Sequence, residues 1–582
     1  MTRRAIGLVT MAFLVPLVII ATGCSDQSSK DSADQESTPN LLLIVADDMG
    51  YSDLSMFGGE ISTPNLDALA QSGRTFTNFY VGPTCSPTRS MLLSGTDNHI
   101  AGLGNMAESL APNQLGQLGY EGYLNDQIAP LPALLLESGF HTYMAGKWHL
   151  GEEPERWPSA RGFEKTLSLI DGGGSHWDDG LPILPTKPSV TITRNGELLD
   201  SPPEGYYSTK DFTNFLMESI EVNLEDGKPF FGYLAYQAPH SPLALPDDWL
   251  DRYAGQYDQG YDAIRTRRLE RQKELGITPV EATGFPRLAN IPPWEELSDE
   301  EKRRSARKME LYAGMVENMD FHIGRLFEFL KEIGEYDNTL IVFFSDNGAA
   351  SEDVEELIAT LMGDSAKEWF DATYDNSFEN WGRQGSFVEY GPAWAQVGSV
   401  PLRLFKGTLA DGGTRLPLIV SGPGVTGTGD LSDTLLHVMD IAPTFLEIAG
   451  ATYPSTYNGH PVKPIQGKSW VSMLAGERDA VRGSDDWFGM EIFGQRAIRK
   501  GDWKLLHLPP WYGGSGDWEL FNLVEDPAEL NNLASQNPEK LEELLAHWEQ
   551  YVQENNVILP EGRSQPGDPT VSSNTELVLP LG

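Results

Sequence analysis

The sequence predicts an α/β protein built on a large, mainly parallel sheet sandwiched by helices, with a smaller α+β subdomain toward the C-terminus. Three observations carry that expectation. Four apolar runs rich in Val, Ile, Leu and Phe (Asn40–Ala46, Phe230–Tyr236, Thr339–Phe344 and Leu416–Val420) have the length and near-continuous hydrophobicity of strands buried on both faces. Helical stretches separate these runs, as parallel crossovers require. The first three runs also pass directly into polar residues: Asp47-Asp48, Ala238-Pro239-His240 and Asp346-Asn347-Gly348. Ligands of open α/β sheets bind beyond the carboxyl ends of strands, so one shared site is expected there.

In chain order, Arg3 and Arg4 followed by the apolar run Ala5–Ile20 form a short export signal, residues 1–23, too brief for a membrane span. It ends in Ala21-Thr22-Gly23-Cys24, which supports two readings. Either Cys24 is the lipid-bearing residue of a bacterial lipobox, or cleavage follows Ala21-x-Gly23 without a lipid. Residues 24–38 are a polar tether suited to an anchored domain. Ser25 after the cysteine resembles outer-membrane sorting. The expected location is that of an exported bacterial protein, periplasmic or an outer-membrane lipoprotein, with membrane contact only through the anchor.

Residues 39–486 are assigned to the main α/β domain. Within it a helix is expected over Asp299–Ile333, and the Arg-rich stretch Arg265–Arg271 reads as a solvated helix face. From about Trp487 the pattern changes to short strands, Met490–Ile498 and Trp503–Leu508, then a turn at Gly513-Gly514 and a helix over Pro538–Gln553. Residues 487–560 are therefore assigned to the subdomain and 561–582 to a loosely attached tail. The chain carries 84 acidic against 42 basic side chains, which argues against a nucleic-acid partner. An anionic substrate would need positive charge gathered locally against that field.

Six segments carry chemistry. Cys85 lies in Cys85-Ser86-Pro87-Thr88-Arg89, followed by Ser90-Met91-Leu92-Leu93-Ser94-Gly95. Pro87 suits the first turn of a helix, which places residue 85 near a positive helix end. Inert packing, an ordinary reactive thiol and an acyl-transfer nucleophile all remain open from this segment alone. Asp47-Asp48 and Asp346-Asn347 read singly as turn-formers or caps. Together they supply carboxylate and amide oxygens for a hard divalent cation, without the His and thiolate set of zinc. In Gly146-Lys147-Trp148-His149-Leu150-Gly151, an extended backbone would point Lys147 and His149 one way and Trp148 into the core. His240 after Pro239, and Lys406 in Leu402-Arg403-Leu404-Phe405-Lys406-Gly407, mean little alone.

Taken together, these segments resemble the signatures of the type I sulfatases: C-x-P-x-R with its continuation, G-K-W-H-L-G, the Pro-His and the late lysine. The resemblance runs from Asn40 to about Asn555. Trp381-Gly382-Arg383 through Gly391-Pro392-Ala393-Trp394-Ala395-Gln396 looks like the larger bacterial arylsulfatases, and Glu519-Leu520-Phe521-Asn522-Leu523 like their C-terminal subdomain. The resemblance implies an alkaline phosphatase-like fold and a Cys85 oxidised to formylglycine (3-oxoalanine) by a formylglycine-generating system. It implies one Ca²⁺, with Mg²⁺ as the alternative, on Asp47, Asp48, Asp346, Asn347 and an oxygen of residue 85.

The same resemblance assigns roles. Arg89 would hold the hydrated aldehyde and Asp346 would deprotonate one of its hydroxyls. Lys147 and Lys406 would bind sulfate oxygens, His240 would protonate the leaving oxygen, and His149 would accept the second hydroxyl's proton. The implied activity is an arylsulfatase-type sulfuric-ester hydrolase acting through a formylglycine sulfate, on a sulfated small molecule or glycan. The alternatives are a phosphonate or phosphate ester hydrolase of the same superfamily and a non-catalytic lipoprotein that binds sulfated glycans. Two features stay outside the motifs. Asp171-Gly172-Gly173-Gly174-Ser175-His176 lacks the Lys-Ser/Thr of a nucleotide loop and reads as a flexible turn, with His176 and His99 as further candidates for the cleft. The aromatic insertion Trp369–Trp394 reads either as core or as a substrate-facing wall.

Overall fold

A computed structural model describes residues 38–352 and 364–561. The export signal, Cys24, most of the tether and the tail from residue 562 lie outside the described residues. Eleven strands form the main sheet: β1 (Asn40–Ala46), β2 (Arg74–Tyr80), β3 (His141–Lys147), β4 (Lys165–Leu169), β5 (Ile192–Arg194), β6 (Glu197–Leu198), β7 (Phe230–Ala235), β8 (Thr339–Ser345), β9 (Arg415–Ser421), β10 (Leu431–Ser432) and β11 (Leu436–His437). Their order is β10-β2-β9-β8-β1-β7-β3-β4-β5-β6, with β11 also on β2. The block β8-β1-β7-β3-β4 is parallel throughout. β9 is a strand as expected, but it runs antiparallel to both β8 and β2.

β1 is central, with Leu41 opposite Phe231 on one side and Leu340 on the other. Parallel pairing in that register brings the three polar strand ends to one edge. Backbone bonds then tie them together: the Asp47 amide donates to the Ala238 carbonyl (3.2 Å) and the Asp346 amide to the Ala46 carbonyl (3.0 Å). Helices cover both faces. Gly232 of β7 meets Leu216 of the helix Ser208–Asn223. Its neighbour Phe231 packs edge-on against Phe445 of the helix Ile441–Ile448. Successive strand residues face opposite sides, so these helices lie on opposite faces of the sheet. The 34-residue helix Asp299–Glu332 starts at a capping box between Ser298 and Glu301, with Asp299 and Glu300 also at its positive end.

Two expectations are corrected here. The basic stretch lies on a helix, Gly260–Glu274, yet Arg268 is fully buried rather than solvated. It pairs with Asp53 at 2.5 Å and Glu60 at 2.8 Å, the kind of double partnership a buried guanidinium needs. The predicted strand Met490–Ile498 is a hairpin. After the small pair β12 (Thr456–Tyr457) and β13 (His460–Pro461), four antiparallel strands follow: β14 (Trp487–Ile492), β15 (Gln495–Lys500), β16 (Trp503–His507) and β17 (Trp518–Asn522). Phe493 and Gly494, with φ of 53° and 80°, form the two-residue turn between β14 and β15. The helix Pro538–Asn555 packs Leu544, Trp548 and Tyr551 against Ile498, Leu505 and Leu520 of this sheet. No described helix is long and apolar enough to cross a membrane.

Candidate active site

Asp47 and Asp48 follow β1, and Asp346 and Asn347 follow β8, so the central parallel pair sets them side by side. Cys85 is the first residue of the helix Cys85–Ser94 and is completely buried. Its Sγ lies 3.3 Å from Asp47 Oδ1. Ligand atoms of Asp47, Asp48, Cys85 and Asp346 all lie within 4.8 Å of one another. Asn347 completes the set: its Nδ2 donates to Asp48 Oδ1 (2.6 Å), while its Oδ1 and the Oδ1 of Asp346 are buried without a partner. Orphaned buried oxygens are costly, and the oxygens of Asp47, Asp48, Asp346 and Asn347 suit a hard cation. The residues therefore fit a divalent ion of the Ca²⁺ or Mg²⁺ type.

Three cations face these carboxylates. Arg89, four residues after Cys85 and so on the same side of the helix, reaches Asp346 Oδ2 through Nε at 2.8 Å and the Lys147 carbonyl through Nη1 at 2.7 Å. Lys147, the last residue of β3, puts Nζ 2.7 Å from Asp47 Oδ2. Lys406 lies 2.8 Å from Asp48 Oδ1 and 3.4 Å from Glu352, a partner that no sequence motif marks. All three cations are essentially sealed from solvent. Burial opposes the ionisation of Asp47, but Lys147, His240, Arg89 and Lys406 together hold it well below the usual carboxylate range. Asp346 is pushed up to about 6, first by burial and then by the Asp47 charge. Burial, followed by Asp346 and Asp47, raises the Cys85 thiol well above its ordinary value.

The two histidines lie at the mouth of this cluster. His240 Nε2 is 3.6 Å from Asp48 Oδ2, and its Nδ1 is 2.6 Å from the Ser241 carbonyl. His149 departs from the extended backbone expected of it. Its φ of 55° is left-handed, so it does not share a strand face with Lys147. The turn carries its Nε2 to 3.1 Å from Glu108 and leaves Nδ1 buried without a partner. Trp148 is buried as expected, its indole N–H donating to the Arg156 carbonyl at 2.9 Å.

With this geometry in place, the comparisons with known proteins are decisive. Residues 39–451 match the family model for sulfatases, and residues 404–556 that for the C-terminal region of N-sulphoglucosamine sulphohydrolase. The chain belongs to the sulfatase family. An uncharacterized sulfatase of Schizosaccharomyces pombe is 44% identical over 90% of this chain and 95% of its own. An arylsulfatase of Klebsiella aerogenes is 40% identical over 75% of this chain and 92% of its own. Among solved structures, Ps i-CgsB in complex with k-i-k-neocarrahexaose shares the fold at 24% identity and a TM-score of 0.62, over 90% of this chain and 95% of that one. The protein is thus a sulfuric-ester hydrolase on an alkaline phosphatase-like fold.

Sequence reasoning missed several parts of this sulfatase's site. Glu108 and Glu352 carry no motif, and only the fold brings them to His149 and Lys406. The glycine-rich segment is a close-packed cover rather than a flexible turn. A Cβ on Gly172 would lie 2.7 Å from His149 Cε1 and Nε2, and one on Gly173 would lie 2.7 Å from Ile183 Cδ1 and 3.1 Å from His240 Cε1. His176 is fully buried behind the cleft, where Nε2 sits 3.0 Å from the His240 carbonyl and Nδ1 2.6 Å from Ser208 Oγ. Burial lowers it to about 4, so its role is to hold the His240 loop as a neutral ring. His99 lies in the ion-pair network that reaches the C-terminal sheet. In the aromatic insertion, Trp381 and Trp394 are core, while Phe370, Tyr374 and Phe387 form a small cluster behind Ile183 and Leu184.

Proposed function

We propose that this sulfatase is arylsulfatase-like, cleaving the S–O bond of organic sulfate monoesters with Cys85 converted to formylglycine and one Ca²⁺ on Asp47, Asp48, Asp346 and Asn347. The observation that carries the reading is the setting of residue 85. A thiolate is disfavoured there by burial and by two carboxylates, so the encoded cysteine is a poor nucleophile. An uncharged aldehyde hydrate carries no such penalty, and Arg89 and Asp346 stand ready to hydrogen-bond it. The hydrate supplies one oxygen to attack sulfur and a second whose ionisation expels sulfate. The cation, when bound, offsets the charge of carboxylates and sulfate.

The rest is done by the chain's own side chains. Lys147 and Lys406 seat the sulfate oxygens and hold the charge that builds on them as the S–O bond breaks. Asp346 accepts a proton from the attacking hydroxyl. His240, its Nδ1 fixed on the Ser241 carbonyl, delivers a proton to the leaving oxygen. His149 accepts the proton of the second hydroxyl, so that sulfate leaves and the aldehyde returns. Proton transfers of this kind contribute about 10²–10⁴-fold, and electrostatic stabilisation supplies the larger part of the remainder. Export with a lipid on Cys24, to the periplasm or outer membrane, is the accompanying proposal, supported by the Arg3-Arg4 start and the apolar run that follows.

Mass spectrometry of the tryptic peptide Thr75–Arg89, from protein made in a host with a formylglycine-generating system, is expected to show an aldehyde at residue 85. Such protein should hydrolyse the sulfate ester of a phenol far faster than the phosphate ester of the same phenol, and C85A should not. A free thiol in fully active protein would overturn the formylglycine reading. Dominant phosphatase activity would overturn the sulfate specificity.

A further inference from the structure

A cleft opens beside the nucleophile, bounded at its inner end by Ser86 and His149. It continues the proposed reaction path directly, because Gly173 lies against both His240, the proposed proton donor, and Ile183 on the cleft wall. The group attached to the scissile oxygen must therefore leave through it. Its walls differ in character from the sulfate seat. Leu103, Ile170, Pro182, Ile183 and Leu184 line it, and the last two are backed by Phe370, Tyr374 and Phe387, which makes that side firm as well as apolar.

The charges in the cleft are the informative part. Glu108, Glu152 and Asp171 line it, against one lysine, Lys187. That lysine is already committed, 2.7 Å from Glu152 and in closer contact with Asp171. Glu108 faces inward on His149. A second sulfate or a carboxylate on the substrate would thus find no uncommitted cation among the described residues of this cleft, and three carboxylates to oppose it. An uncharged hydrophobic ring would find a rigid apolar wall. We propose that the cleft selects sulfate esters whose leaving group is apolar and free of further negative charge, and rejects polysulfated or carboxylate-bearing esters. This rests on the sulfatase reading above and narrows it from sulfated compounds at large to singly charged esters of apolar alcohols and phenols.

The test is a matched pair of substrates on converted, calcium-loaded wild-type enzyme: 4-methylumbelliferyl sulfate, and the analogue in which the 4-methyl group is replaced by carboxymethyl. The leaving phenol is nearly the same, so the pair isolates the added charge. The carboxylated ester is expected to have a kcat/KM lower by at least about tenfold, the scale of one like-charge juxtaposition in a partly shielded site. Glu152→Gln, which removes one carboxylate and frees a bond of Lys187, should narrow that ratio by about threefold or more, and Lys187→Ala should widen it. Equal or better turnover of the carboxylated ester, or of a disulfated sugar, would overturn the proposal. If neither umbelliferyl ester is turned over although the aldehyde is present at residue 85, while a sulfated sugar is, this proposal fails and the sulfatase reading stands; if no sulfate ester of either kind is hydrolysed, the proposed mechanism at residue 85 fails as well.

Discussion

One added carbon at Gly172 would sit 2.7 Å from Cε1 and Nε2 of His149, and that same Nε2 is held by Glu108 at 3.1 Å. The chain there has no positive φ to accommodate, so glycine is required for closeness alone. Gly172→Ala should therefore displace the ring rather than unfold the protein. Since a misplacement of about 1 Å can cost about 10²-fold, kcat should fall by that order while the thermal midpoint moves little. A variant of normal kcat would show that His149 tolerates displacement and is not the proton acceptor proposed. Glu108 acts on the same ring through Nε2, which leaves the buried, unpartnered Nδ1 as the nitrogen for the proposed proton transfer. Neither neighbour was legible in the sequence, because each acts by contact across the fold and not by residue pattern.

At the scale of elements, the helix that begins at Cys85 ends at Gly95, and the next turn ties it to the C-terminal sheet. His99 is buried between Asp97 (2.8 Å) and Glu491 of β14 (3.3 Å), and Tyr551 of the last helix donates to Asp97 at 2.8 Å. Burial opposes its protonation, but Asp97 and Glu491 prevail and push it up to about 9, against an ordinary value of 6.5. A group whose folded value is raised stabilises the fold fully below its unfolded value and loses that contribution as pH rises through the folded value. His99 should therefore contribute up to about 3 kcal/mol at pH 6, fading between pH 6.5 and 9. Unfolding midpoints of wild type and His99→Gln, followed from pH 6 to 10, should converge as the pH rises; parallel curves would exclude the charged pair as their cause. The sequence made this segment only a weak candidate for the cleft, for the reason that limits every element here. Continuous apolar runs announce strands β1, β7 and β8, and the polar residues after them announce the site. Pairing direction and partners are set by distant contacts, so the antiparallel course of β9, the Phe493-Gly494 turn and the burial of Arg268 left no local trace.

For the molecule as a whole, the question is how a chain of net charge −42 admits an anion. The answer is not a cationic surface. Arg89, Lys147 and Lys406 are buried, each faces a carboxylate of Asp47, Asp48 or Asp346, and Lys406 also lies 3.4 Å from Glu352, so the seat has no excess of positive charge before a cation is added. The charge of the proposed cation would then supply the net attraction a sulfate meets, within a few ångströms. Farther out the field is that of the acidic surface and repels the substrate. Raising ionic strength from about 0.01 to 0.15 M shortens the screening length from about 30 to about 8 Å, which weakens the distant repulsion but leaves the buried seat nearly untouched. The kcat/KM for a singly charged sulfate ester should therefore rise by a few-fold over that range, measured with a salt whose anion does not compete for the seat, such as acetate. It should rise more steeply for the carboxylated analogue, which carries one more charge through the same field. A fall in kcat/KM for both esters would mean that capture is governed by unpaired positive charge near the mouth, and the balance of buried carboxylates against buried cations would not describe the working enzyme.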